Sequence, residues 1–555
     1  MRRAIVAGLV LVALLAAGGC GGNGKKAPTF GGPPAGAPDA GAAYEPTGEI
    51  IADSGFRPDA DGYAFQNYGD EGQQDLTPGE MRQLFGDVVC ESLVDDECVL
   101  HPQAQAWMEE TNAAMGGGHC YGFSVTTQLF YDEQVYPVDF GGNATADVPI
   151  QGNTDLQSFI AYGWAFQKLD SVLENVVSGT PNEILDALAA ALDSGDESYT
   201  IAFFKRDGTG GHAVTPIAIE ERDDGTTALI VYDNNYPEIL RAIVFDREAD
   251  TWQYDAAINP SEPSELYEGD ADTKSLRLDS VSPGLDVQPC PFCAGRHSRV
   301  SAVAAPAKTQ PYNAVFLTGD PRNHPHLLIT DSQGHRLGYV AGRLVNEIPG
   351  ARIVRPLMDF TVKDKVWTED EEPEFRVPVG LELTVTIDGG SLKRPSTSSF
   401  ALIGPGHDVV IDDIGLVRGQ QDTLTLRGDG TTFTYVTAAH QSESPVLRMG
   451  VQGTVDHAFW VKALKLAGGS TITLALDDAH GRLTIDTTKT AAKGLYDIRM
   501  ERDDKTGRQL YAHPGLELEP GETATLEYGK WSHHGQGIPL VTRIGGVERR
   551  IVLSD

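Results

Sequence analysis

One cysteine of this sequence lies in a segment that suits nucleophilic chemistry. Residues 116–124 read GGGHCYGFS, so three glycines and His119 precede Cys120, and the residues that follow the cysteine predict a helix. The N–H groups at a helix start lower the pKa of a thiol placed there, and a nearby imidazole can take its proton. Cys120 is therefore a candidate nucleophile. A buried, inert thiol is the alternative.

A thiol nucleophile needs a base on another element of the fold and a third group that orients the base. His212 follows a glycine pair at the start of a predicted strand, in TGGHAVTPIAIE. The next predicted strand, TALIVY, runs into Asp233, and DDG at residues 223–225 predicts the hairpin turn between the two strands. Counting from that turn places His212 and Asp233 close to opposite each other. The sequence thus predicts a Cys120–His212–Asp233 triad.

The spacing of the six cysteines supports a reactive thiol. Cys90 and Cys98 lie close together, as do Cys290 and Cys293 in PCPFC, and each neighbouring pair predicts a local disulfide in an oxidising compartment. A redox role for the CPFC pair and a zinc site of four cysteines are the alternatives; loop-like surroundings and the long Cys90–Cys98 spacing disfavour them. Cys120 is left outside both pairs.

The first twenty residues predict an export signal. Arg2 and Arg3 precede an apolar segment, residues 5–17, that is too short to span a bilayer comfortably, and small residues then lead into Cys20. This ending resembles the bacterial lipoprotein signal, in which the cysteine is lipidated after cleavage. Secretion with cleavage nearby is the alternative. We expect an exported lipoprotein, anchored by Cys20 on the periplasmic or extracellular face of the cell envelope.

Length and charge limit the class of protein. A chain of 555 residues predicts two to four domains, and its net charge of −36 argues against a nucleic-acid partner, because phosphate binding requires a basic face. The membrane is expected as a partner only through the N-terminal lipid. No cofactor or metal is expected, since the histidines of RNHPH and WSHHGQ lack a metal-ligand spacing and are interpreted as surface loop residues.

The predicted fold class is an α+β domain, helices first and then an antiparallel sheet, followed by an all-β sandwich region. Capping boxes at Thr77 and Thr180 start two helices, residues 120–131 predict another, and residues 154–176 predict a longer one. Beyond about residue 300, strand runs separated by DG, GG and DSQG turns predict one or two antiparallel sandwiches. The predicted domains are 1–20 (lipoprotein signal peptide), 21–50 (flexible Gly/Pro/Ala tether), 51–270 (α+β domain), 271–305 (connector with the CPFC loop), 306–390 (β domain) and 391–555 (β-sandwich domain).

Three short segments together resemble the papain-like cysteine peptidases. GHCYGFS is similar to the G-S-C-W-A-F-S nucleophile segment of that family, with Tyr121 for the Trp and Gly122 for the Ala. GHAV is similar to the histidine strand, and LIVYDNNY lies where the family carries an Ile-Val-Lys-Asn-Ser-Trp segment. The order Cys, His, Asn/Asp along the chain also agrees. This resemblance implies a papain-like fold for residues 51–270.

The resemblance implies a surface-anchored cysteine peptidase that cleaves amide bonds of a peptide or protein substrate. Cys120 would attack the carbonyl, His212 would exchange the proton, and Asp233 would take the place of the family's orienting Asn. An amine acceptor instead of water would make the site a transpeptidase or a transglutaminase-type acyl transferase. The remaining alternative is a catalytically inactive papain-like scaffold in a surface adhesion or assembly lipoprotein.

Two departures from the family pattern bear on activity. The family's oxyanion Gln lies six residues before the nucleophile, where this chain has Ala114, and an oxyanion donor contributes about 3–4 kcal/mol of transition-state stabilisation. The 92-residue gap from cysteine to histidine is also shorter than the roughly 130–150 residues of papain and cathepsins, which fits compact members similar to bacteriocin-processing or transglutaminase-like proteins. The candidate oxyanion or orienting amides are Asn112 and Asn234, with Gln105 and Asn67 as further stand-ins.

Overall fold

A computed structural model describes residues 43–69, 72–206, 210–257, 264–294, 311–320, 323–355, 372–438, 445–504 and 507–554. The predicted signal peptide, Cys20, residues 21–42 of the predicted tether and residues 295–305 of the predicted connector lie outside this part of the chain. Within it, every helix is too short or too polar to cross a membrane.

The described α-helices all lie before residue 195. They are α1 (Pro58–Asp61), α2 (Pro78–Phe85), α3 (Pro102–Met115), α4 (Cys120–Tyr131), α5 (Thr154–Ala165), α6 (Asp170–Leu173) and α7 (Pro181–Ser194). Both predicted capping boxes form, with Thr77 at the start of α2 and Thr180 at the start of α7. Gly195 ends α7 in the left-handed conformation (φ 66°) that glycine adopts without strain. Local sequence therefore defines these helix ends.

Residues 154–176, predicted as one helix, are divided in the structure. After α5 the chain makes a 3₁₀ turn at Phe166–Lys168 and then starts α6. The carbonyl of Lys168 accepts a hydrogen bond from Nη2 of Arg376 (2.7 Å), which lies 208 positions further along the chain. The division thus coincides with a tertiary contact that helix periodicity does not reveal.

The strands before residue 300 form one large antiparallel sheet and a separate hairpin, β2–β3. They are β1 (Glu49–Asp53), β2 (Cys90–Val94), β3 (Glu97–Leu100), β4 (Val177–Ser178), β5 (Tyr199–Phe203), β6 (His212–Glu221), β7 (Thr227–Tyr232), β8 (Leu240–Asp246), β9 (Thr251–Ala256), β10 (Glu265–Asp270) and β11 (Leu276–Ser280). The sheet has the order β10-β9-β8-β7-β6-β5-β11-β4, and β1 also pairs with β6. Because β1 and β11 belong to this sheet, the unit extends beyond the predicted 51–270. We call residues 43–294 the α+β unit.

The later strands form two antiparallel sheets around one apolar core. We call residues 311–554 the sandwich. Its strands are β12 (Tyr312–Gly319), β13 (His326–Asp331), β14 (Arg336–Val340), β15 (Arg343–Asn346), β16 (Arg352–Val354), β17 (Glu374–Pro378), β18 (Leu383–Asp388), β19 (Ser396–Gly404), β20 (His407–Leu416), β21 (Gln421–Leu426), β22 (Thr432–Val436), β23 (Val446–Val451), β24 (Asp456–Lys465), β25 (Thr471–Asp477), β26 (Arg482–Lys489), β27 (Gly494–Asp504), β28 (Gly507–Leu518), β29 (Glu522–Leu526), β30 (Ile538–Ile544) and β31 (Val547–Leu553).

The boundary predicted between residues 306–390 and 391–555 does not divide two bodies. One sheet has the order β16-β17-β12-β19-β20-β23-β24-β27-β28, and the other has the order β15-β14-β13-β18-β21-β22-β25-β26-β29-β30-β31. Strand β12 pairs with β19 and β18 pairs with β21, so both sheets contain strands from either side of residue 390. The predicted antiparallel strands are present, but they build a single sandwich.

The α+β unit and the sandwich share an apolar cluster. Tyr312 and Phe316 of β12 and Ile403 of β19 belong to the same cluster as Trp107 of α3 and Phe166. Helix α3 lies against β12, β19 and β20. The outer face of one sandwich sheet therefore completes the core of the helices.

Charged side chains are buried at this junction. Arg376 of β17 forms ion pairs with Glu374 (2.7 Å) and with Asp170 at the start of α6 (2.7 Å), and Lys168 pairs with Glu374 (3.2 Å). Arg376, Glu374 and Lys168 are almost fully buried. Since a buried charge without a partner is costly, this network fixes how the two regions meet.

Candidate active site

Cys120 is the first residue of α4, as the sequence predicts. It is completely buried and takes part in neither disulfide; these join Cys90 to Cys98 and Cys290 to Cys293, as predicted. The first turns of α4 pack on the sheet. One turn after Cys120, Ser124 accepts a hydrogen bond from Oγ1 of Thr215 on β6 (2.9 Å).

His119 anchors the start of α4. Its backbone N–H donates to Oδ1 of Asn67 (2.8 Å) and to the carbonyl of Tyr68 (3.2 Å), and its ring packs on the Tyr68 ring at 4.5 Å. Its Nδ1 lies 2.9 Å from the Tyr68 carbonyl and its Nε2 lies 3.0 Å from Oδ1 of Asp75. Gly118, with φ 137°, turns the chain into this position. His119 therefore holds the helix start in place, a role that the sequence analysis did not predict.

The structure brings His212 and Asp233 together. His212 is the first residue of β6, and its Nε2 lies 2.9 Å from Oδ1 of Asp233, which directly follows β7. Both side chains are fully buried. Asp233 also accepts hydrogen bonds from the hydroxyl of Tyr254 (2.6 Å) and from the backbone N–H of Asn235 (2.9 Å). Each oxygen of the carboxylate thus has a donor.

Burial alone would raise the pKa of Asp233, but the charge and hydrogen bond of His212, with the donors from Tyr254 and Asn235, hold that pKa below its usual value. The carboxylate therefore stays ionised at neutral pH. An ionised carboxylate at Nε2 orients the imidazole and stabilises its protonated form. Nδ1 is then the ring nitrogen that would exchange a proton with a thiol.

The hairpin that carries this pair has a different register from the one predicted. The turn forms where expected, with Gly225 (φ 84°) donating its N–H to the carbonyl of Arg222. Thr215 pairs with Tyr232, however, and the register shifts between Pro216 and Ala218. Asp233 is therefore diagonal to His212 rather than opposite it. Carboxylate and ring meet despite the shift, because side chains on neighbouring strands also reach diagonal positions.

Asn234 connects the start of α4 to β6. Its Nδ2 donates to the carbonyl of Cys120 (3.1 Å) and to the carbonyl of Ala213 (2.9 Å), the residue after His212. An amide nitrogen has two hydrogens, and both are used here. Of the two roles predicted for Asn234, oxyanion donor or orienting amide, these contacts fit the orienting one.

The other predicted amides make different contacts, and only some of these involve the start of α4. Asn112 binds the backbone of Leu76 through both Oδ1 (3.1 Å) and Nδ2 (3.0 Å), so it joins α3 to that segment. Gln105 donates to Glu109 on the same helix. Asn67 contacts the backbone N–H of His119 and is therefore the stand-in that lies next to the start of α4.

A pocket of about 240 Å³ opens beside the start of α4. Its carboxylate comes from Asp75, which also binds His119. Cys120 is not among its lining residues, which are Gly69, Gln73, Asp75, Asn112, Ala113, Gly116 and His119. The pocket thus reaches the residue before the candidate nucleophile.

Packing between α4 and α5 explains one departure from the resembled segment. A Cβ atom on Gly122 would lie 2.1 Å from the carbonyl oxygen of Ile160 and 3.0 Å from the backbone nitrogen of Trp164. The alanine that the family carries at this place therefore cannot fit without moving the helices apart. Glycine at residue 122 is required by the close approach of α4 to α5.

Comparisons of this chain with family models, with curated proteins and with solved structures found no match. The site is accordingly interpreted from its own geometry and from the short segments quoted above.

Proposed function

We propose that the protein is a papain-like thiol hydrolase that cleaves amide bonds of a peptide or protein substrate through Cys120, His212 and Asp233. The observation that carries this proposal is the buried His212–Asp233 pair, joined by Asn234 to the backbone of the first residue of α4. A histidine oriented by a carboxylate beside a thiol at a helix start is the arrangement that thiol catalysis needs.

In the proposed reaction His212 takes the proton of Cys120 through Nδ1, and the thiolate forms a C–S bond with the substrate carbonyl. The N–H groups at the start of α4 stabilise the oxyanion, because the first four of a helix have no partner within it. His212 then protonates the leaving amine as the C–N bond breaks, leaving a thioester. Water, deprotonated by His212, hydrolyses the thioester and restores the thiol.

Export is part of the proposal. The two described disulfides support it, since disulfides persist in oxidising compartments and are rare in the cytosol. We propose further that the chain is anchored through lipid on Cys20, on the strength of the N-terminal segment alone.

One observation favours the second candidate, a catalytically inactive scaffold with the same architecture. Cys120, His212 and Asp233 are all completely buried, and Cys120 does not line the neighbouring pocket. A substrate carbonyl can reach the sulfur only if the start of α4 opens to solvent. The two candidates therefore differ in the reactivity of one thiol in the folded protein.

Alkylation of the folded full chain by iodoacetamide, mapped by mass spectrometry across pH, tests the proposal. At pH 6.5 an ordinary thiol with a pKa of about 8.5 is about 1% ionised, so an activated Cys120 should react up to about 100-fold faster than such a thiol. The substitution His212→Ala should remove this advantage. The control His335→Ala, in the sandwich, should leave it unchanged. Labelling of Cys120 only near pH 8.5, or only in urea, would overturn the hydrolase and leave the scaffold.

A further inference from the structure

Two histidines and a glutamate converge beside the starts of two sandwich strands, β13 and β17. His324 and His326 flank Pro325 at the start of β13, and Glu372 lies two residues before β17, which belongs to the opposite sheet. The His324 side chain is only 9% exposed, so the interpretation of RNHPH as surface loop residues is wrong for this histidine. The three donor atoms all lie within 4.8 Å of one another.

The separations between these atoms suit a tetrahedral metal ion. Oε2 of Glu372 lies 3.0 Å from Nδ1 of His326 and 3.9 Å from Nδ1 of His324. Ligand bonds of about 2.0–2.1 Å place tetrahedral ligand atoms roughly 3.3 Å apart, between these two values. The carbonyl oxygen of Pro325, 2.8 Å from Nδ1 of His324, adjoins the same position.

Neighbouring groups already hold these side chains in place. Oε1 of Glu372 accepts a hydrogen bond from the backbone N–H of Leu327 (2.7 Å), which leaves Oε2 directed at the histidines. The His326 ring stacks on Tyr339 at 4.3 Å, and the two histidine rings lie 5.0 Å apart and nearly perpendicular. Such outer contacts orient metal ligands. His326 is 29% exposed, which gives an ion a route from solvent.

A second cluster of similar composition lacks this geometry. At the junction of the α+β unit with the sandwich, Nδ1 of His101 lies 2.5 Å from Oδ2 of Asp456 and 3.9 Å from Oε2 of Glu91. A separation of 2.5 Å is within hydrogen-bond range and is too short for two ligands of one ion. Nε2 of His101 also contacts Gln452 (2.9 Å). This cluster is accounted for as a buried, hydrogen-bonded His101–Asp456 pair.

We propose that His324, His326 and Glu372 bind one divalent transition-metal ion, with Zn²⁺ the best fit. Two imidazoles and one carboxylate form a donor set that zinc accepts. Three protein ligands leave a coordination position for water or for a group of a bound molecule. The site lies in the sandwich and does not depend on the thiol chemistry of the α+β unit.

Isothermal titration of the metal-free full chain with ZnCl₂ tests this site. All samples carry Cys120→Ser, so that the thiol adds no binding. Losing one outer-shell partner of a metal site typically lowers affinity 10–100-fold, so His324→Ala with His326→Ala should weaken binding by at least about 100-fold and remove one ion per chain. The matched control is His335→Ala, because His335 also lies beside a carboxylate, Asp331 (2.8 Å), without a second histidine.

A milder variant keeps the test decisive if the double variant unfolds. Glu372→Gln retains an oxygen for the Leu327 N–H but loses the charge, and it should weaken Zn²⁺ binding while circular dichroism shows a folded protein. Co²⁺ added to the unsubstituted site should give the visible absorption of tetrahedral cobalt. The proposal fails if no saturable binding occurs, or if Glu372→Gln and His335→Ala bind Zn²⁺ equally well.

Discussion

The α+β unit and the sandwich both bury charged side chains, but in different places. The sandwich core consists of aliphatic, aromatic and methionine side chains from two sheets, and strands such as β26 alternate inward and outward residues along their length. Beside α4, by contrast, the α+β unit buries a thiol, an imidazole and a carboxylate. Burying such groups costs free energy unless each is paired, and the carboxylate of Asp233 is paired with His212. In the sandwich, buried charged groups such as Arg376 and Glu374 lie where it meets the α+β unit.

The largest expected effect concerns the junction between the two regions. Arg376→Ala removes the partner of buried Glu374 and the donor to the Lys168 carbonyl, so it should lower the free energy of unfolding by about 3–5 kcal/mol. Urea unfolding followed by circular dichroism measures this loss. The control Arg543→Ala breaks an exposed pair with Glu548 and should change stability by no more than about 1 kcal/mol. Equal losses in the two variants would show that the buried ion pairs of the junction stabilise the protein no more than an exposed pair does.

A second change tests whether α4 is held by close packing. Gly122→Ala places a methyl group against the Ile160 carbonyl and should lower the free energy of unfolding by about 3 kcal/mol. It should also change the alkylation rate of Cys120, because the start of α4 must move. Gly79→Ala, on α2, meets its nearest atom only at 3.3 Å and should be neutral or stabilising by up to about 1 kcal/mol. A neutral Gly122→Ala would contradict the packing described for α4 and α5.

The smallest expected effect concerns two buried carboxylates, Asp233 and Asp279, whose pKa values are shifted in opposite directions. Burial would raise the pKa of Asp233, but His212 and Tyr254 hold it below its usual value; Asp279 of β11 lies beside Arg277, yet burial raises its pKa. The stability that Asp233 contributes is fully present above its usual pKa of 3.8. It is lost as the pH falls through the lower pKa that Asp233 has in the folded protein. Asp279 has a raised pKa, so the folded state takes up its proton first and gains stability as the pH falls.

Urea unfolding of Asp233→Asn and Asp279→Asn at several pH values between 5 and 3 compares these carboxylates. The stability advantage of the unsubstituted protein over Asp233→Asn should shrink as pH falls. The loss should be on the order of 1 kcal/mol, because only part of the roughly 1.5–3 kcal/mol of one hydrogen bond to a charged group is lost above pH 3. Its advantage over Asp279→Asn should grow over the same range. The same sign for both variants would contradict the ionised His212–Asp233 pair.

Much of the local structure follows from local sequence. The capping residues Thr77 and Thr180 define helix starts through contacts three residues away, and α4 begins at Cys120 as predicted. Sheet partners that lie far apart in sequence are not encoded in this way. The pairing of β12 with β19 therefore overturned the division at residue 390.

In the candidate site, too, contacts between residues near each other in sequence could be predicted, whereas contacts between distant residues could not. His212 and Asp233 were predicted because a short hairpin connects them. The bond from Asn234 to Cys120 joins residues 114 positions apart, and the contact of Glu372 with His326 spans 46, so neither has a signal in the local pattern. The register shift beside Pro216 likewise depends on packing and escaped prediction.

The shared cluster of Trp107, Phe166, Tyr312, Phe316 and Ile403 has a consequence for a cleaved form of the protein. A protease that cut the chain between residues 295 and 310 would separate the backbone of the α+β unit from that of the sandwich, and both described disulfides lie within the α+β unit. The two fragments would still be joined by that apolar cluster and by the ion pairs of Arg376 with Glu374 and Asp170. The nicked protein should therefore elute from a sizing column as one particle, and its halves should separate only in denaturant.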